Sequence, residues 1–170
     1  MIILWWFLCY LIGSIPIAKF VTKRKLNFYS TSEVIRQTGW RKGLVVGFVD
    51  ISKGFLAVSL AHYYGFSDMV ALVAGLSAVA GQIFPVFNSF KGGGGILTSY
   101  GSLLFINILL ANVAFAVVLP FVILGLGGWG IILAWLITSP FGNNTYALFA
   151  TGHALMIIVA GGIRLYESRC

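Results

Sequence analysis

The residues best suited to chemistry in this chain lie between Gly81 and Gly95. An apolar run stops at Pro85. A single cation, Lys91, follows, and then four consecutive glycines, Gly92, Gly93, Gly94 and Gly95, lead into a second apolar run at Ile96. Four glycines in a row are entropically costly to order. A chain keeps them where its backbone must come close to a ligand, as when successive N–H groups cradle a phosphate. A flexible linker between two helices is the alternative. Two further candidates lie upstream. Asp50 and Lys53 are three residues apart, and so on one face of a helix, inside an otherwise apolar stretch. Charges there are costly, and they either pair structurally or serve a site. Arg36 sits in a polar segment that precedes that stretch.

The elements that must position these residues are apolar. Of the 170 residues, 59% are hydrophobic and only 9% charged, against about 25% charged in a soluble domain. Mean hydropathy is +0.98. The chain reads as an integral membrane protein, a single all-α transmembrane domain over 1–170. At roughly 20 residues per span, it has room for about six to seven helices and no sizeable soluble domain. The apolar runs are continuous, without the alternation of a barrel strand. The net charge is +7. Of the eleven cations, Lys19, Lys23, Arg24, Lys25, Arg36, Arg41 and Lys42 crowd into residues 19–42. The positive-inside rule puts that loop in the cytoplasm. It suits anionic lipid headgroups or an anionic substrate, and nucleic acid is not an expected partner. Cys9 and Cys170 suggest no disulfide framework. The N-terminus lacks a basic leader and reads as the first span rather than a cleaved signal.

Taken in order, span one covers about Ile2–Phe20, with Trp5 and Trp6 as an interfacial belt. Gly13-Ser14-Ile15-Pro16 interrupts it, and a proline there frees a carbonyl that must be satisfied locally. The basic loop, 21–42, contains a short helix over 30–39. Ser30 caps it, Glu33 completes a capping box, and Gly39 stops it. Val34 and Ile35 would face the membrane and leave Arg36 free for a ligand. Span two is about Gly43–Tyr64, where Gly43 and Gly47 form a close-packing pair and His62 faces headgroups. Span three is about Met69–Phe87. From 96 to 137 the chain is apolar without one charge. Asn107, Asn112, Pro120 and the glycines of 125–130 are its candidate breaks. The working division is two spans, 96–117 and 119–138. A turn over 138–145 and a last span, 146–163, follow, with His153 packed or hydrogen-bonded within it.

Two crossings separate the basic loop from the glycine loop, so both lie on one side of the membrane. Arg36, Lys53 and Lys91 could then converge on one anion. The same arithmetic puts the C-terminus outside. Arg164 and Arg169 fit poorly there, which suggests a count off by one. No metal-ligand cluster, Ser-His-Asp arrangement or nucleotide fingerprint is visible, so no metal or cofactor is expected.

Several segments recur together in one known order: Gly13-Ser14-Ile15-Pro16, Arg36-Gln37-Thr38-Gly39, Asp50-Ile51-Ser52-Lys53-Gly54, Gly81-Gln82-Ile83-Phe84-Pro85-Val86-Phe87, Phe90-Lys91 with the four glycines, then Thr98 and Gly101. In this the chain resembles the bacterial acyl-phosphate:glycerol-3-phosphate acyltransferases, polytopic inner-membrane enzymes of phospholipid synthesis. The match is good over about 10–101 and poor beyond. The resemblance implies acyl transfer from acyl phosphate to the 1-hydroxyl of glycerol 3-phosphate, giving lysophosphatidic acid. It implies Arg36, Lys53, Lys91 and Gly92–Gly95 as phosphate and acyl-phosphate contacts, supported by Ser14, Asp50, Gln82 and Thr98. Cations and backbone donors would hold two anionic substrates together and stabilise an oxyanion.

The chain also departs from the family pattern. The family's loop reads GHxFPVF with FKGGKG. Gln82 stands at the histidine, and Gly94 at the second lysine, the family's phosphate-binding cation. The GSGN part of the first-loop motif is missing, with Leu26–Ser32 in its place. Of a C-terminal HxxNIxRL motif, only Ile163-Arg164-Leu165 matches. Two other readings therefore stand beside the enzyme: a non-catalytic relative that binds lipid or an anionic metabolite or scaffolds membrane proteins, and a small transporter.

Overall fold

The computed structural model describes residues 1–23, 29–124, 126–138, 140 and 144–167, with the side chains of 144–145 and 161–167 left out. Arg24, Lys25, most of the turn over 138–145, and the side chains of Ile163, Arg164 and Leu165 therefore lie outside the described residues. What is described is all helical: α1 (Ile2–Ser14), α2 (Ile17–Thr22), α3 (Thr31–Thr38), α4 (Trp40–Tyr63), α5 (Asp68–Ile83), a 3-10 turn (Val86–Asn88), α6 (Ile96–Ile106), α7 (Ile108–Ile123), α8 (Gly127–Thr138) and α9 (Asn144–Glu167). Three segments are long and apolar enough to cross a bilayer: Ile2–Thr22, Trp40–Tyr63 and Asp68–Asn88. Four shorter apolar helices accompany them.

The first span breaks at Ile15-Pro16, because proline cannot continue α1. At the break, the Ile15 carbonyl accepts from Lys53 Nζ at 2.8 Å as well as from the Ile17 N–H at 3.0 Å. The helices then touch backbone to backbone at small residues, as membrane helices do. Gly13 lies on the Ala78 carbonyl and Gly81 on the Tyr10 carbonyl, which joins α1 to α5. Gly54 lies on the Thr98 carbonyl and Gly101 on the Ile51 carbonyl, which joins α4 to α6. A side chain at any of these four would push two helices apart. The Gly43 and Gly47 pair has a different role: it receives Ile35 and Thr31 from α3.

Two expectations change in this part of the fold. Ser30 Oγ does accept the Glu33 N–H, at 3.3 Å. The Glu33 carboxylate turns forward instead of back, to Arg36 and to Gln37 Nε2 at 2.5 Å. The capping box is half made. Val34 is fully buried, whereas Ile35 is exposed.

The stretch 96–138 holds three helices, not two. Asn107 breaks it: its side chain accepts the Leu110 N–H at 3.0 Å and so caps α7. Helix α7 folds back along α6, where Tyr100 donates to Asn112 at 3.0 Å and stacks on Phe115 at 4.6 Å. Pro120 sits within α7 rather than ending it. The extra crossing moves the end of α9 to the glycine-loop side, where Ala160 lines one cleft with Arg36.

Candidate functional site

The glycine loop is held in place by its surroundings. Two residues just before it, Ser89 and Phe90, adopt left-handed backbone at φ 52° and 60°. Such a conformation is rare for phenylalanine. It is held by the Phe90 N–H on the Pro85 carbonyl, 2.9 Å, and by Asn88 Nδ2 on the Lys91 carbonyl, 2.5 Å. Gly92 packs against the Gln82 and Ile83 carbonyls at the end of α5, where a Cβ could not fit. The Gly93 N–H donates to the Gln82 carbonyl at 3.1 Å. The Gly94 carbonyl accepts from His153 Nε2 at 3.2 Å. Gly95 is at φ 68° and caps α6 without any side-chain cap bond.

Behind the loop lies a closed polar network. Lys53 Nζ donates to Ile15 O at 2.8 Å, Asp50 Oδ1 at 3.0 Å and Gln82 Oε1 at 2.8 Å. Gln82 Nε2 in turn donates to Asp50 Oδ2 at 2.9 Å. Asp50 and Lys53 are each 4% exposed. A lysine has three N–H donors, and all three are committed. Lys53 is therefore not open to an anion. It ties α1, α4 and α5 together, and Gln82 passes that anchorage to the loop through Gly93.

Three clefts meet at the loop. The first, about 350 Å³, is lined by Asp50, Gln82, Gly93–Gly95 and Thr98. Here the first turn of α6 presents its unpaired amides, and helix N-termini favour anions. Thr98 is fully buried, and its Oγ1 has no partner. A second cleft, about 370 Å³, adjoins the first along Ser30, Gly93, Gly94 and Ile96 and contains Arg36 and Glu33. A narrow third crevice contains Lys91, Gly92, Gly93 and Pro16.

Arg36, Lys53 and Lys91 therefore do not converge on one pocket. Arg36 borders the second cleft, its side chain 74% exposed and paired with Glu33. Lys91 borders the third, and Lys53 is sealed in the network. The glycine loop is the wall that the clefts share. Ser14 is fully buried and bonds its own helix, Oγ to Tyr10 O at 2.8 Å, away from all three clefts. Hydrogen bonding from Gln37 holds the Glu33 carboxyl below its ordinary range, and the Arg36 charge adds to that.

The sequence reading did not pair Ser99 with His153. Ser99 Oγ lies 2.8 Å from His153 Nδ1, and both residues are buried. They are 54 apart in the chain. The only available signal was a lone histidine in an apolar span, which an intramembrane polar residue makes suspicious.

The chain and its fold have counterparts among known proteins. A family model described as glycerol-3-phosphate acyltransferase matches residues 3–165. A glycerol-3-phosphate acyltransferase of Thermus thermophilus is 38% identical over 125 residues, 69% of this chain and 63% of the relative. That of Parasynechococcus marenigrum is 32% identical over 166 residues, 92% of this chain and 72% of the relative. Against the Thermus protein, then, the match spans under two thirds of the relative's length. A crystal structure of PlsY, an integral membrane glycerol 3-phosphate acyltransferase in its lysophosphatidic acid form, superposes with a TM-score of 0.80. It is 26% identical and covers 99% of this chain and 93% of its own. The glycerol 3-phosphate form, at 24% identity and TM-score 0.80, shares the fold. The chain, a polytopic helical membrane protein with a glycine loop set between three clefts, belongs to the glycerol-3-phosphate acyltransferase family.

Proposed function

We propose that the protein transfers an acyl group from acyl phosphate to the 1-hydroxyl of glycerol 3-phosphate. The hydroxyl oxygen bonds to the acyl carbon, the carbon–oxygen bond to phosphate breaks, and the hydroxyl proton leaves with inorganic phosphate. The products are lysophosphatidic acid and phosphate. Acyl phosphate carries a good leaving group, so the protein's share is to hold two anions together and to stabilise the oxyanion.

One observation carries this reading. The fully buried Thr98 hydroxyl has no partner and lines a cleft with the glycine amides at the start of α6. An unsatisfied buried hydroxyl costs about 1–3 kcal/mol, and a phosphate oxygen would satisfy it. The cleft is large enough for a small polar ligand (about 300–1,000 Å³ is usual). Arg36 supports an anion from the second cleft and Lys91 from the third. Asp50, Lys53 and Gln82 hold the loop rather than the substrate.

The protein sits as a multi-pass protein in the inner membrane, with the basic loop 21–42 and the glycine loop 91–95 on the cytoplasmic face. The basic residues of 19–42 support that orientation, and so does the placement of the α9 end on the same side.

Purified protein in detergent or nanodiscs, given acyl phosphate and labelled glycerol 3-phosphate, is expected to form labelled lysophosphatidic acid. No product at any substrate level overturns the assignment.

A further inference from the structure

We propose that His153, oriented by Ser99, is a positioning residue that sets which way the amides of the glycine loop face. The proposal rests on the acyltransferase reading for its kinetic consequence and on geometry for its structural one.

Four glycines have no side chains with which to hold a conformation, so their torsions must be fixed from outside. On one side that comes from α5, through the Gly93 N–H on the Gln82 carbonyl. On the other it comes from α9. His153 Nε2 lies 3.2 Å from the Gly94 carbonyl, and Nδ1 lies 2.8 Å from Ser99 Oγ. A carbonyl only accepts, so Nε2 carries the proton. In the neutral ring Nδ1 is then an acceptor, and the Ser99 hydroxyl donates to it. Ser99 thereby fixes both the tautomer and the ring plane.

The peptide that joins Gly94 to Gly95 is planar and trans, so its C=O and N–H point in opposite directions. Turning the Gly94 carbonyl toward α9 turns the Gly95 N–H away from α9. Gly95 lines the cleft that holds the unpartnered Thr98 hydroxyl. Among the described residues, neither the Gly94 nor the Gly95 N–H donates to any group. The histidine thus satisfies the Gly94 carbonyl and leaves the Gly94 and Gly95 amides free for a ligand. A purely structural filler in a lipid span would be cheaper as an apolar residue, because buried polar side chains in a membrane are costly. The polar pair is explained by the carbonyl it holds.

The test compares His153→Leu, His153→Gln and Ser99→Ala with the wild type in nanodiscs. Gln keeps a donor for the Gly94 carbonyl; Leu does not. Two readouts are taken: hydrogen exchange of the peptide covering 88–98, and the kinetics of lysophosphatidic acid formation. Melting temperature is followed to confirm folding.

His153→Leu is expected to speed exchange in that peptide by on the order of 10-fold. It should also lower kcat/KM for glycerol 3-phosphate by on the order of 100-fold, as misplaced catalytic donors do. His153→Gln should restore most of both, and Ser99→Ala should fall between. Wild-type exchange and kinetics in a folded His153→Leu overturn the proposal. So does failure of Gln to rescue, or an acyl adduct on Ser99, which would make Ser99 a nucleophile. If the wild type itself forms no product, the acyltransferase reading fails, and the exchange data alone decide whether His153 pins the loop.

Discussion

Gly94→Lys is the substitution that most directly tests the reading of this loop. By the loop's resemblance to FKGGKG, Gly94 falls where the family pattern has its second lysine, and nothing around it requires a glycine. A Cβ added there meets nothing nearer than 3.8 Å, and the closest groups are the flexible ends of Ile96 and Ile157. Its φ lies outside the left-handed region, unlike that of Gly95 at +68°. Its carbonyl bond to His153 is a backbone contact, so the substitution leaves that bond in place.

The lysine stem can lie along Ile96 and Ile157 while the ammonium reaches the cleft that holds Arg36 or the one that holds Thr98. A hydrogen bond to a charged group contributes about 1.5–3 kcal/mol. Ordering a lysine side chain costs up to about 2 kcal/mol. The net gain is therefore near 1 kcal/mol, or about a 5- to 10-fold lower KM for glycerol 3-phosphate. Loss of one glycine from the unfolded chain adds about 0.4–1 kcal/mol of stability.

The assay is initial rate against glycerol 3-phosphate concentration at two ionic strengths, with Gly95→Lys as the control. Gly95→Lys should lose activity and stability, because its Cβ would press on Val79 at 3.0 Å in a strained backbone. An unchanged or higher KM in a folded Gly94→Lys protein would refute the idea that this position faces substrate phosphate.

Three other substitutions probe the parts around the loop. Thr98→Val removes an unpartnered buried hydroxyl, so the melting temperature should hold or rise while substrate binding weakens by about 1–3 kcal/mol; a fall in both would make Thr98 merely structural. Lys53→Met leaves the Asp50 carboxylate buried and unpaired, at a cost of about 3–5 kcal/mol, and Lys53→Met with Asp50→Asn should recover much of the lost unfolding temperature. Glu33→Gln tests the carboxylate's bonds to Arg36 and Gln37. The Glu33 carboxyl is held below its ordinary value of 4.5, so its contribution is present above that value and is lost as pH falls through the lower folded one. Thermal unfolding across pH should show the variant weaker at neutral pH and equal to the wild type at strongly acid pH, and a constant difference would remove Glu33 from the linkage.

Much of this architecture was readable because lipid imposes simple rules. Apolar length set the first three spans. Asp50 and Lys53 showed their shared face by spacing alone. The misreadings have physical causes. Between 96 and 138 no charge marks a boundary, and Asn107 breaks the helix only because its side chain caps α7, which hydropathy does not register. Arg36 looked free because Glu33 stands at capping-box spacing from Ser30 and equally at ion-pair spacing from Arg36. Lys53 looked available because the Ile15 carbonyl that consumes a donor comes from another helix. Ser99 and His153 meet only through the antiparallel return of α9, a relation no local pattern encodes.

On the acyltransferase reading, the anion site is displaced rather than lost. Where the resembled FKGGKG pattern has its second lysine, this chain has a glycine with open space around it. On the proposed reading, dipoles supply the fixed positive character instead: the first turn of α6 and the Gly94 and Gly95 amides, with the Thr98 hydroxyl as a further donor. Dipoles do this only if they are held, and a four-glycine loop holds nothing by itself. That places the burden on groups that never touch substrate. The Lys53–Asp50–Gln82 network fixes Gly93 from one side, and His153 fixes Gly94 from the other. Activity should therefore depend as steeply on these anchors as on Arg36 or Lys91, and Gly94→Lys should make it less so. If the lysine supplies the charge directly, His153→Leu in the Gly94→Lys background should cost less than in the wild type. Equal losses in both backgrounds would mean the two groups act independently, and that the amides are not the lysine's replacement.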